Sequence, residues 1–418
     1  MNIAQLTHNP YALLALMVSP WKNEEIIGCL SDFVKKSKID WERLLYMANL
    51  HYCTPLWFIS MQRDDLLPLL PLDLQIYLKH LYQANLERQE AFQQAMREIL
   101  SNAHDMGIPV ILLKGAASFC DDLYNDKGAR MMGDIDVLVK TQHIKPMKMI
   151  MKKLRYEEQE SRYGKPITIL ALRLPHHLPR YLKPETPVAV EIHFQTAHRG
   201  QASRVLPTEM SWANKEMKLW EGLQPFILNP TYRLLHNTVH TLLPNRAYTS
   251  SIIPLNQLVE FAYLVRRYPS FMDWRAWLMR GTEQKLNRQF RIYLTLAHKL
   301  MDMPFPKQVR KIDLAGLHVA RISAAANNRA NDLMGHKNKN NTAAGRIKDL
   351  SIRIYIYLFY RFTKIAWDWQ NLCYEKNFDK IPLRLFCLAS LILKRFNLRR
   401  SFDNYKRLFR MFNRRLFL

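Results

Sequence analysis

Two carboxylates one residue apart at the head of an apolar strand constrain this chain more than any other feature. The run Arg130-Met-Met-Gly133-Asp134-Ile135-Asp136-Val137-Leu138-Val139 reads as a loop carrying an arginine, followed by a strand. Side chains alternate faces along a strand, so Asp134 and Asp136 project together while Ile135, Val137 and Val139 turn into a core. Like charges that close repel, and ionising both is costly unless a cation lies between them. Such a pair suits a hard ion such as magnesium, which takes oxygen ligands and completes its shell with water and substrate phosphates.

A bare Asp-x-Asp is short and common, so the surroundings decide its meaning. Upstream, Val110-Ile-Leu-Leu-Lys114-Gly115 reads as an apolar strand ending in a Lys-Gly turn. A short helix over 116–124 and a turn at Asn125-Asp-Lys-Gly128 follow it, and a second helix is expected over 144–154. Phe119 and Tyr124 read as core residues of the first of these helices. Further on, residues 176–182 and 188–194 read as a hairpin around Lys183-Pro-Glu-Thr-Pro187, with Glu191 and His193 on one face and Val190 and Ile192 on the other. A third carboxylate thus lies on a strand able to sit beside the Asp-x-Asp strand.

The elements Leu113-Lys114-Gly115, Arg130, Gly133-Asp134-Ile135-Asp136-Val137-Leu138-Val139 and Val190-Glu191-Ile192-His193 resemble a bacterial family of nucleotidyltransferases in the superfamily with the DNA polymerase β nucleotidyltransferase fold. The resemblance covers about residues 85 to 265. It implies an α+β chain, with a small mixed β-sheet core flanked by N-terminal and C-terminal helical regions. It also implies that Asp134, Asp136 and Glu191 are the catalytic carboxylates and the ligands of Mg²⁺ or Mn²⁺, and that Gly115 is the turn receiving the phosphates of a nucleoside triphosphate. Lys114 and Arg130 are expected to supply positive charge to those phosphates. Gly133, at the strand entrance, and His193, on the face of Glu191, complete the expected nucleotide-binding set. Two departures stand out. Ala116 replaces a serine frequent in the superfamily, so the turn would bind through backbone N–H groups and the lysine charge. Glu191 stands where aspartate is frequent, and its longer arm still reaches a metal.

At 418 residues, two or three folding units are expected. The predicted organisation is an N-terminal helical region over 1–108, a nucleotidyltransferase core over 109–200, a helical region packed on it over 201–326, a polar linker over 327–344 and a basic helical region over 345–418. The first region includes helical spacing over 40–50 and a run over 81–105 free of proline and glycine, closed by Met106-Gly-Ile-Pro109. Asn229-Pro230 is a helix start, and 255–265 has amphipathic spacing. His236 and His240 lie four apart on the predicted helix, but Asn237 follows His236, so the glutamate of the zinc-protease motif is missing and helix packing or a polar contact to the cleft is the preferred reading.

Net charge is +25, and the residues after 300 hold 24 Lys and Arg against 8 Asp and Glu. Such a field attracts phosphates, nucleic acid or an anionic membrane surface. Phe402, Tyr405, Phe409, Phe412 and Phe417 interleave with Lys406, Arg407, Arg410, Arg414 and Arg415, a pattern that also suits single-stranded RNA or a tRNA, and the short apolar runs broken by arginines put RNA slightly ahead of membrane. The apolar stretch 382–393 is short of the ~20 residues that span a bilayer, so no transmembrane segment is expected. Five scattered cysteines without a Cys-x-x-Cys pair point to a reduced compartment. The chain is therefore read as cytoplasmic, with peripheral membrane contact through the basic region as the secondary expectation.

The expected activity is Mg²⁺-dependent transfer of a nucleotidyl group from a nucleoside triphosphate to an acceptor that the sequence does not identify: a tRNA, a protein side chain, a saccharide or a small molecule are all compatible, with an anionic acceptor such as RNA suggested by the basic charge. One alternative is a metal-dependent glycosyltransferase using the same pair, which would need an αβ sheet where residues 1–108 read as helices. The other is a non-catalytic RNA- or membrane-binding protein on the same scaffold.

Overall fold

A computed structural model describes residues 9–159, 176–184, 186–198, 200–243, 253–310 and 325. All lie in the unit Met1–Lys337. The polar stretch 327–344 and the basic stretch from 345 lie outside the described residues.

Asparagine and aspartate caps set the first helices. The side chains of Asn9, Asn23 and Asp40 accept from backbone N–H groups of α1 (Pro10–Met17), α2 (Glu24–Lys36) and α3 (Trp41–Leu50), satisfying donors that a helix start leaves open. After α4 (Thr54–Arg63), α5 runs from Leu72 to Asp105, longer than the expected 81–105 because no proline or glycine interrupts it after Pro71. Its end is a Schellman turn. Gly107 sits at φ 65°, Ile108 N–H bonds the carbonyl of Ala103, and Gly107 N–H bonds that of His104.

The sheet follows from the short apolar runs. In chain order come β1 (Ile111–Leu112), α6 (Lys114–Cys120), β2 (Ile135–Leu138), α7 (Ile144–Lys153), β3 (Glu157–Glu158), β4 (Tyr181–Leu182) and β5 (Ala189–His193). Then come α8 (Gln201–Val205), α9 (Thr208–Ala213), β6 (Lys215–Met217), β7 (Phe226–Leu228), α10 (Pro230–Leu242), α11 (Leu255–Arg267), α12 (Trp274–Glu283) and α13 (Asn287–Met301). The strands form one mixed sheet in the order β3-β4-β5-β2-β1-β7-β6. β2 is antiparallel to β1 and parallel to β5, and β1 is parallel to β7. The stretch 201–326 was expected to be helical, yet it adds β6 and β7 to the sheet. Three-residue strands carry too little periodicity to declare themselves, and pairing with β1 decides their form.

Alternation along β2 and β5 divides the sheet into two faces. Val110, Leu112, Ile135, Val137, Val139, Val190 and Ile192 pack with Phe92, Met96 and Ile99 of α5 and Met147, Ile150 and Met151 of α7. The opposite face carries Ile111, Leu113, Leu138 and Leu228, together with the polar residues of β2 and β5. A larger apolar cluster joins α1, α3, α4, α10, α11 and α13. Arg233 of α10 ties that helical layer to the core. Its guanidinium is paired with Asp121 and donates to Ser118 Oγ at 3.2 Å, while Tyr268 Oη donates to Asp121 at 2.6 Å. The C-terminal end of α6 is thereby fixed to the helical layer.

Candidate active site

The parallel register of β2 and β5 sets Asp136 directly beside Glu191, and Leu138 beside His193. Because alternation sends Ile135 and Val137 into the core, Asp136 emerges on the other face, yet it is only 1% exposed. Lys114, arriving at the end of β1, places Nζ 2.5 Å from Asp136 Oδ1. His193 Nε2 meets the same oxygen at 2.8 Å and stands 3.6 Å from Glu191 Oε2. Asp134, just ahead of β2, is held by Arg180 Nη2 at 2.6 Å. The same nitrogen lies 3.2 Å from Glu191 Oε1, so the three carboxylates share one cluster of cationic groups.

Charge states follow from that crowding. Burial and the neighbouring charges of Asp136 and Glu191 push Asp134 up to about 6, against the pull of Lys114 and Arg180. Burial would also raise Asp136, but Lys114 and His193 overcome it and hold that carboxyl well below the usual range. Glu191 likewise resists burial and is drawn down to about 2, chiefly by its contact with His193. For His193 burial opposes protonation, and hydrogen bonding to Asp136 and Glu191 outweighs it and moves the imidazole upward. Lys114 is disfavoured by burial and more strongly favoured by Asp136, which raises it. The net picture is a crowded, partly buried carboxylate cluster in which Asp136 and Glu191 are held ionised by neighbouring cations while Asp134 carries the uncompensated repulsion.

Residues 37–302 match the family described as "Uncharacterised nucleotidyltransferase". The chain belongs to this family. Among solved structures, the antibiotic-resistance factor ANT(2'')-Ia is similar at 12% identity, with 49% of this chain and 93% of that one covered and a TM-score of 0.30. An antigenic nucleotidyltransferase-like protein from Paracoccidioides brasiliensis is similar at 14% identity, with 52% and 93% covered and a TM-score of 0.29. A search of curated proteins returned no match.

In this nucleotidyltransferase the residues singled out from sequence fall into two groups. Asp134, Asp136, Glu191, His193 and Lys114 converge on one spot. Arg130 is directed elsewhere: its guanidinium pairs with Glu260 of α11 at 2.7 Å. Gly115 explains the approach, since a Cβ there would stand 2.3 Å from Arg130 Nη1 and 3.0 Å from Met132 Cγ. Gly115 thus makes room for Arg130. The loop ahead of it is pinned from α5, where Asn85 Nδ2 donates to the Gly128 carbonyl at 2.7 Å and Gln89 Nε2 to the Arg130 carbonyl at 2.6 Å. At Gly133 an added Cβ would meet nothing within 4 Å, so the strand entrance is open.

Lys114 itself sits at φ 47°, the left-handed region that a non-glycine residue occupies at a cost, and such strain concentrates at functional sites. Behind it, a small cleft is lined by Lys114, Arg233, His236, Asn237, His240 and Glu260, among others. Burial first, and then the Lys114 charge, hold His236 down to about 3 and His240 well below the usual histidine range. These two histidines are neutral walls of the cleft, and among the described residues they join no metal-binding group. Phe119 and Tyr124 pack against Trp220 and Tyr263 but are only partly buried, at the edge of the core, and Tyr124 lies beyond the end of α6 at Cys120.

Two charged neighbours of these residues were not singled out from sequence. Arg180 reaches Asp134 and Glu191 from the hairpin only because β4, β5 and β2 are adjacent, a relation no local pattern encodes. Glu260 lies 130 residues from its partner Arg130. The donor set fits a divalent cation. One ligand atom each from Asp136, Glu191 and His193 lie within 4.8 Å of one another; Asp134 is outside that group and meets it through Arg180, which it shares with Glu191. Carboxylate oxygens beside an imidazole suit a divalent cation, although His193 Nε2 is already engaged with Asp136.

Proposed function

We propose that this nucleotidyltransferase moves a nucleotidyl group from a nucleoside triphosphate to an acceptor hydroxyl, with Mg²⁺ or Mn²⁺ held by Asp134, Asp136 and Glu191. The observation that supports this reading is the register of β2 and β5, which sets Asp136 beside Glu191, with Asp134 just ahead of β2 and Lys114, Arg180 and His193 against the three carboxylates. A divalent ion at such a cluster supplies the charge that stabilises the phosphate oxygens in transfer.

The chain's own residues do the rest. His193 donates to Asp136 and fixes the direction of its carboxylate. Glu191, beside it and less enclosed, would with Asp136 help to activate the attacking hydroxyl, whose proton passes to solvent. Attack at the α-phosphorus forms the new P–O bond and breaks the bond to the β-phosphate, releasing pyrophosphate. Lys114 puts positive charge where the departing phosphates accumulate negative charge. Positioning and electrostatics suffice for such chemistry, so no covalent enzyme intermediate is invoked. The open backbone at Gly133 leaves a path for the nucleotide to approach β2. Arg130 contributes through the loop it anchors with Glu260 rather than as a free phosphate ligand.

The acceptor is proposed to be anionic, RNA before membrane lipid, because the charge excess after residue 300 is +16 of the net +25. The cytoplasm is its proposed compartment. Among the described residues no helix is long and apolar enough to cross a membrane. The test is pyrophosphate release from each nucleoside triphosphate with Mg²⁺ and fractionated cell RNA. Release that Asp136→Asn and Glu191→Gln remove supports the reading. Release that both variants retain overturns the assignment of these carboxylates.

A further inference from the structure

Arg180 is a cation whose place in the site needs its own explanation. Its backbone is fixed one residue ahead of β4, where its carbonyl accepts from Gln159 N–H at 2.7 Å. Its side chain is 41% exposed, crosses β5 and ends between two carboxylates. Nη2 lies 2.6 Å from Asp134 Oδ2 and 3.2 Å from Glu191 Oε1, and Nε lies 3.3 Å from that same Glu191 oxygen. One guanidinium therefore offsets the repulsion between the two carboxylates that stand either side of Asp136. Lys114 differs, because its amine is directed at Asp136 and its side chain is about half as exposed.

A divalent ion on Asp134 and Glu191 would compete with Arg180 for the same oxygens. A doubly charged ion at the carboxylates makes the arginine redundant there, and a released guanidinium on a fixed backbone must find another anion or return to water. Its planar fork matches a phosphate group, and its exposed stem leaves it free to swing. We propose that Arg180 is an exchange residue: it bridges Asp134 and Glu191 in the metal-free enzyme and passes its hydrogen bonds to a phosphate of the nucleoside triphosphate when metal takes the carboxylates. This rests on the reading of Asp134 and Glu191 as metal ligands given above.

The exchange makes metal and nucleotide binding mutually dependent. Metal alone must displace the arginine, and nucleotide alone must draw it from its carboxylates. Together, each ligand removes the other's obstacle. Coupling of this kind is reciprocal by thermodynamic necessity.

The experiment is a set of Mn²⁺ titrations followed by electron paramagnetic resonance, with and without a non-hydrolysable α,β-methylene nucleoside triphosphate, on the full chain and on Arg180→Gln and Arg180→Lys. Far-ultraviolet circular dichroism confirms that each variant is folded. For Arg180→Gln the expected result is Mn²⁺ bound alone about tenfold more tightly, nucleotide bound in the presence of Mn²⁺ about tenfold more weakly, and the coupling between them reduced by a similar factor. Arg180→Lys, which keeps the charge without the fork, should fall between. Unchanged constants in Arg180→Gln overturn the exchange, as does weakening of both ligands, which is the signature of a merely structural arginine. If the unmodified chain binds no Mn²⁺, or Asp136→Asn binds it equally well, the metal assignment fails and the exchange fails with it.

Discussion

Lys114 Nζ lies 2.5 Å from Asp136 Oδ1, a pairing in which both groups are largely withdrawn from water. Removing one partner of a buried pair leaves an uncompensated charge, whose cost exceeds the worth of the pair itself. Lys114→Met should lower stability by about 2 kcal/mol in EDTA, less than a fully enclosed pair would lose because the lysine is partly exposed. Added Mg²⁺ should restore much of that loss by supplying the missing positive charge. Chemical denaturation with and without Mg²⁺ checks both halves, and an unchanged midpoint in EDTA would count against the pairing.

Asp134 gives a pH dependence of definite sign. Its folded value near 6 lies above its ordinary 3.8, so the folded state holds the extra proton between about pH 4 and 6. The stabilisation this provides is fully present below pH 3.8 and lost as pH rises through 6. Asp134→Asn should therefore stabilise the metal-free protein at pH 7.5, by on the order of 2 kcal/mol, and change it little at pH 4. It should also abolish nucleotide transfer, a trade of stability against function. Urea midpoints at the two pH values decide, and equal effects at both would remove the crowding argument.

Gly115 and Glu260 act on one guanidinium from opposite sides. A methyl group at residue 115 would push into Arg130 Nη1, while loss of the Glu260 charge leaves Arg130 enclosed and unpaired. Gly115→Ala and Glu260→Gln should each cost about 3 kcal/mol. The double variant should cost clearly less than their sum, because both disturb the same contact. Strict additivity in denaturation would mean that Gly115 is required for another reason.

Much of this site is written locally. Alternation in Gly133–Val139 and Val188–Phe194 puts Asp134, Asp136, Glu191 and His193 on the side away from the apolar face, because a strand's two-residue period is a property of the chain itself. The helices α3, α10 and α11 are legible for the same reason, with Asp40 and Asn229 as their caps where one is present. Strand order is a different matter. That β5 lies beside β2, and β7 beside β1, depends on which apolar faces find each other, and Arg180 enters the site only through that order. Asn85 and Gln89 sit on a helix rich in polar residues, and nothing in their spacing separates buried anchors of the Arg130 loop from solvated neighbours. Arg130 itself, expected at the phosphates, is claimed by Glu260, a partner distant in sequence.

If RNA is the acceptor, affinity should carry the imprint of counterion release. The logarithm of the association constant should fall linearly with the logarithm of salt concentration, with a slope of about −0.7 per neutralised phosphate on single strands. Filter binding of cell RNA over a salt series measures it. A slope near zero would exclude the basic segment after residue 300 as the recruiting surface.

The central claim is that the carboxylates of Asp134, Asp136 and Glu191 serve transfer at the α-phosphorus. The most direct measurement incubates the full chain with Mg²⁺, fractionated acceptors and a nucleoside triphosphate labelled at either the α- or the γ-position. The account predicts α-label, and no γ-label, in an acceptor fraction, with the signal absent in EDTA and in Asp136→Asn. Transfer of γ-label, or α-label transfer that persists in Asp136→Asn, would contradict it.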